Sequence, residues 1–108
     1  MTGRRIGKLV RDRIPETIAA AGGIAAVRVL DDDEFLDALT DKLFEEAEEF
    51  RADRGLGELA DVYQTVMSLA DRFEGGRAEL ERIAAAKASA RGGFEGRVFL
   101  ESVRDQDG

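Results

Sequence analysis

The sequence predicts an all-α protein: a helical bundle built on an antiparallel hairpin of two long central helices, with room for a small two-stranded β ribbon. Three observations predict it. Two apolar stripes recur at helical spacing: Leu36, Leu39, Leu43, Ala47 and Phe50, then Leu59, Val62, Val66, Ala70 and Phe73, with Tyr63 beside the second. Only the short link "ADRGLG" separates them, which makes the two helices antiparallel neighbours. A third helical stretch, "GRAELERIAAAKASARGG", follows.

The elements can be justified in order. Residues 1–11, "MTGRRIGKLVR", are basic and irregular. "DRIPETIAAAGG" reads as a short helix, with Asp12 as its cap, Pro15 in its first turn and Gly22-Gly23 ending it. "IAAVRVL" is compatible with a short strand. "DDDEFLDALTDKLFEEAEEFRAD" is a long helix with acids at its N-terminus, where the macrodipole favours them. "LGELADVYQTVMSLADRF" is the second long helix. The late segment "FEGRVFL" alternates apolar and polar residues and could pair with "AVRVL" to form the ribbon. The 108 residues fit one domain, with 1–7 and 104–108 expected to fray.

Composition narrows the chemistry. A net charge of −7 argues against a general binder of nucleic acid or anionic membranes, which need a basic surface. With neither cysteine nor histidine, the chain has no disulfides, no thiol catalysis and no zinc site of the usual kind. The commonest general base is also missing. Carboxylates, Lys, Arg, Tyr or a hard metal ion must therefore carry any reaction. No long apolar run suggests a membrane span and no signal-peptide core opens the chain, so a cytoplasmic location is expected.

The acids of "LFEEAEEFRADRGLGELADV" then stand out. At roughly 100° per residue, Glu46 falls at the edge of the first apolar stripe and Glu49 lies further round the same flank. Glu58 and Asp61 repeat that offset on the second helix. In an antiparallel pair like flanks meet, and both pairs sit close to the link, so all four should be level on one side of the hairpin. Crowded glutamates are ordinary on an exposed helix face. Two matched pairs on converging flanks are less so. Four half-buried carboxylates repel one another unless a cation neutralises them, and oxygen-only ligands favour Mg²⁺, Mn²⁺ or Ca²⁺.

With those residues in view, "EEAEE…ELAD" resembles the Glu-Glu-x-x-Glu then Glu-x-x-Asp pattern of the MazG-like, all-α nucleotide pyrophosphohydrolases. "KLVRDRIPE" and "KASARGGFEGRVFL" resemble the phosphoribosyl-ATP pyrophosphohydrolase-like branch of that superfamily, so the likeness runs from about Lys8 to Leu100. The link between the acidic pairs is shorter than in many MazG proteins, which makes a tight hairpin. The resemblance implies a homodimer or larger homo-oligomer. It implies Mg²⁺-dependent hydrolysis of a nucleoside triphosphate to a monophosphate and pyrophosphate, with Mn²⁺ as a substitute ion. It also implies Glu46, Glu49, Glu58 and Asp61 as metal ligands.

A polyphosphate needs further cations. Lys8, Arg11, Lys87, Arg91 and Arg97 are the candidates, and Lys87 and Arg91 share one helix face at i,i+4. Glu46 or Glu49 is the expected base that takes a proton from the attacking water. Phe35, Tyr63 and Phe94 could stack on a base, although core packing is the commoner use of such residues. The resemblance alone favours a house-cleaning role or general nucleoside triphosphate hydrolysis. The alternatives are true phosphoribosyl-ATP hydrolysis and a non-catalytic helical dimerisation module.

Overall fold

Sequence punctuation places each helix. The computed structural model describes residues 3–105. Helix α1 spans Ile14–Ala20 with Pro15 in its first turn. Its cap residue is Arg13, with no side-chain cap bond, so Asp12 does not take the capping position expected of it. Gly22 closes the helix with φ +90°, a left-handed conformation that costs glycine little. The amide of Gly23 then reaches back to the Ile18 carbonyl at 2.9 Å.

Helix α2 spans Asp32–Ala52 and starts at a reciprocal cap. The Glu34 amide donates to Asp31 Oδ1 at 2.8 Å, and the Asp31 amide donates to Glu34 Oε1 at 3.3 Å. Arg28 grips the same Glu34 carboxylate with two nitrogens, at 3.1 and 2.8 Å, and pulls its pKa below the ordinary range. The acidic start of α2 thus serves the helix terminus.

Helix α3 spans Leu56–Ala70 and α4 spans Gly76–Arg91. The turn between α2 and α3 is tight, and the two helices pack against each other. Their antiparallel sense is visible at the far end of the pair. Arg72, just past α3, meets Asp32 at the start of α2 at 3.1 Å and lies over the Phe35 ring at 5.5 Å. α4 touches only α3, and no residue of α4 is buried.

The β ribbon does not form: the described residues contain no strand, and 22–31 and 92–105 are irregular. Alternation makes a segment compatible with pairing, but an isolated two-stranded ribbon is marginal without a surface to cover one face. Here Val29, Phe94 and Val98 are all more than nine-tenths exposed. Residues 1–2 and 106–108 lie outside the described region; 3–7 and 104–105, also expected to fray, are irregular.

The protomer is extended. Its radius of gyration is 19.6 Å and its long axis 72 Å, whereas a compact chain of this length has a radius near 13 Å. Among the described residues the buried apolar ones are Leu39 and Ala70, both from the predicted stripes. Leu36 and Phe44 on α2, and Leu59 and Tyr63 on α3, remain exposed. Helical spacing sets these four on the flank of the hairpin opposite Glu49 and Asp61. Phe73 and Phe94 are exposed as well, whereas Phe35 and Phe50 are half-covered.

Candidate metal centre

Glu46 stands seven residues after Leu39, two helical turns along the face that α2 turns toward α3. It is consequently buried, at 6% exposure, a rare position for a carboxylate. Lys42, one turn earlier, approaches Glu46 Oε1 at 3.2 Å. The other oxygen, Oε2, is buried with no hydrogen-bond partner. An unpaired buried carboxylate oxygen is costly and calls for a cation or a donor.

Two further carboxylates surround it. Glu49 follows one turn later on α2, and Asp61 comes from α3. One oxygen from each of Glu46, Glu49 and Asp61 lies within 4.8 Å of the others. The Glu46 charge holds the Glu49 carboxyl above its ordinary value, with Glu45 adding to the same effect. Beneath Asp61, the buried Thr65 hydroxyl donates to the Asp61 carbonyl at 3.0 Å. The three carboxylates offer hard oxygen donors close together, and one oxygen of Glu46 has no hydrogen-bond partner. Oxygen-only donors of this kind suit hard divalent ions, Mg²⁺, Mn²⁺ or Ca²⁺, over soft ones.

Glu58 is the exception among the four expected ligands. It is not part of this cluster; its carboxylate folds back over Gly55, where a Cβ would meet Glu58 Oε2 at 2.7 Å. Glu58 is the third residue of α3, where a carboxylate is drawn to the unpaired amides of the helix start. It remains one turn from Asp61 on the same face.

Two of the five expected phosphate-binding cations reach the site. Lys8 Nζ lies 3.1 Å from Glu45 Oε1, and Arg11 Nη2 lies 2.6 Å from Asp61 Oδ1. Lys8 draws the Glu45 carboxyl below its usual range, and Glu45 raises the Lys8 ammonium in return. Lys87 and Arg91 on α4, and Arg97 beyond it, are exposed, and no hydrogen bond or ion pair ties them to the cluster. Lys42 is the residue that the sequence reading missed. It pairs with both Glu45, at 3.5 Å, and Glu46. The signal was its i,i+3 and i,i+4 spacing to those acids.

Beside the cluster, Gly7, Lys8, Leu9, Lys42 and Glu45 line a shallow hollow of about 80 Å³. Pockets for small ligands are on the order of 300–1,000 Å³. None of Glu46, Glu49 and Asp61 lines this hollow.

The chain matches no protein-family model and no solved structure. It is similar to a protein of Mycolicibacterium smegmatis (strain ATCC 700084 / mc(2)155) described as an uncharacterized protein. The two are 53% identical over 47 residues, which is 44% of this chain and 48% of that protein. The matched part is thus about half the length of the relative. Among the described residues, no helix is long and apolar enough to cross a membrane.

Proposed function

We propose that the chain is a MazG-like, Mg²⁺-dependent nucleotide pyrophosphohydrolase of the cytoplasm, releasing a nucleoside monophosphate and pyrophosphate. One observation carries the reading: Glu46 is buried with one oxygen lacking a hydrogen-bond partner, and its carboxylate lies close to Glu49 on the same helix and to Asp61 on the facing one. The resemblance of the acidic and flanking motifs to MazG-like enzymes supports it. When bound, the ion supplies Lewis-acid polarisation of the phosphates and of water. Glu46, Glu49 and Asp61 would hold the ion from two helices. Glu49, exposed and raised in pKa by its neighbour, takes the proton from the attacking water. Lys8 and Arg11 stand close enough to neutralise a phosphate chain.

The working unit in this reading is a homodimer or larger homo-oligomer. An extended chain with an uncovered apolar flank supports it. A second copy would bury Phe44, Leu59 and Tyr63 on the flank opposite the carboxylates.

The test is pyrophosphate release, with product identification, from standard dNTPs, damaged dNTPs and phosphoribosyl-ATP, with Mg²⁺ and with EDTA. The expected result is Mg²⁺-dependent release from at least one dNTP. Turnover of phosphoribosyl-ATP alone assigns the narrower activity. No turnover of any substrate, together with a melting temperature indifferent to Mg²⁺ and Mn²⁺, leaves the non-catalytic dimerisation module standing.

A further inference from the structure

The segment before α1 meets the acidic site through two ion pairs, and both fall on residues of the acidic motif. Lys8 reaches across 37 positions to Glu45, and Arg11 reaches across 50 to Asp61. α1 itself does not pack against the hairpin. The Lys8 and Arg11 side chains are 49% and 58% exposed. Exposed ion pairs of this kind contribute little to stability and exchange readily. Their partners matter more than their strength, because Asp61 is one of the three carboxylates placed to hold an ion. A guanidinium 2.6 Å from that carboxylate and a divalent ion bound to it repel each other.

Resting on the reading above, we propose that Lys8 and Arg11 are tethered counter-ions of the carboxylate cluster. A metal–polyphosphate displaces them, so the site takes the ion and the phosphate chain together and the ion alone poorly. In the unliganded protein the two cations offset part of the charge of Glu45 and Asp61. An arriving divalent ion makes them redundant there. The phosphate chain it carries offers new acceptors beside Lys8 and Arg11, which sit on the irregular segment before α1. Arg11 brings a planar fork suited to phosphate oxygens, and Lys8 brings a compact charge. The recognised class is thus a divalent-metal complex of a di- or triphosphate. The exchange adds selectivity against free metal ions.

The experiment measures Mn²⁺ affinity directly, by loss of the free-ion paramagnetic resonance signal, and then inorganic tripolyphosphate affinity at saturating Mn²⁺. Wild type, the double variant Lys8→Gln/Arg11→Gln and Glu46→Gln are compared. The double variant should bind Mn²⁺ alone on the order of tenfold more tightly, and tripolyphosphate on the order of tenfold more weakly. The charge-keeping pair Lys8→Arg/Arg11→Lys should bind Mn²⁺ as weakly as wild type. A double variant whose Mn²⁺ affinity is unchanged or lower overturns the proposal, as does unchanged tripolyphosphate affinity. If Mn²⁺ binding in wild type is still lost in Glu46→Gln, the metal site itself survives that failure. No saturable Mn²⁺ binding by wild type or the double variant removes both.

Discussion

Glu49→Gln should lower pyrophosphate release by about 10²- to 10⁴-fold, the range a positioned general base contributes. Glutamine keeps the shape of the side chain but can neither take a proton nor neutralise an ion. The same substitution should stabilise the metal-free protein at neutral pH. The Glu46 charge raises the Glu49 pKa above 4.5, so the folded state holds the Glu49 proton more tightly than the unfolded chain does. The stability tied to that proton is fully present below the unfolded pKa. It is lost as pH rises through the raised folded value, so at neutral pH the ionised Glu49 opposes folding. Melting temperatures in EDTA should therefore be higher for Glu49→Gln than for wild type at neutral pH, and should converge as pH falls below about 4. A variant with full activity removes Glu49 from the chemistry. A variant melting lower than wild type at neutral pH contradicts the repulsion. Stability gained where activity is lost is the usual mark of a functional site.

Leu39→Ala should destabilise the fold by about 2–5 kcal/mol, the range for leucine truncation in a packed core. Leu39 is 4% exposed and sits at the contact of α2 with α3. Few other apolar side chains of the protomer are buried as deeply, so little remains to absorb the cavity. Against a total of roughly 5–15 kcal/mol, such a loss is a large share. The melting temperature should fall by about 10 °C or more. If copies associate through the apolar flank, the melting temperature of wild type should also rise with protein concentration. A loss below about 1 kcal/mol would show that Leu39 is not central to the hairpin. A concentration-independent transition would count against association.

The hairpin was legible because its information is local. Apolar spacing set the two stripes, and the short link set their antiparallel sense. The offset of Glu46 and Asp61 from the stripes then brought them to one flank. Glu58 lies outside the cluster because periodicity fixes the face of a residue, not the torsions of a long side chain beside a helix N-terminus. The ribbon failed because alternation reports compatibility with a strand and says nothing about whether a partner lies alongside. Lys42 was readable from its spacing to Glu45 and Glu46. The pairing of Arg11 with Asp61 was not, since no local rule links residues 50 positions apart. Nor does periodicity tell how much of each apolar face one chain covers, and Phe44 and Tyr63 remain exposed for that reason.

The central claim is that Glu46, Glu49 and Asp61 together bind a hard divalent ion. The most direct measurement is anomalous difference density from a crystal soaked in Mn²⁺. The account predicts a peak between α2 and α3, about 2 Å from an oxygen of each of the three carboxylates. A cluster without anomalous density, at a manganese concentration that fills other surface sites, would contradict it.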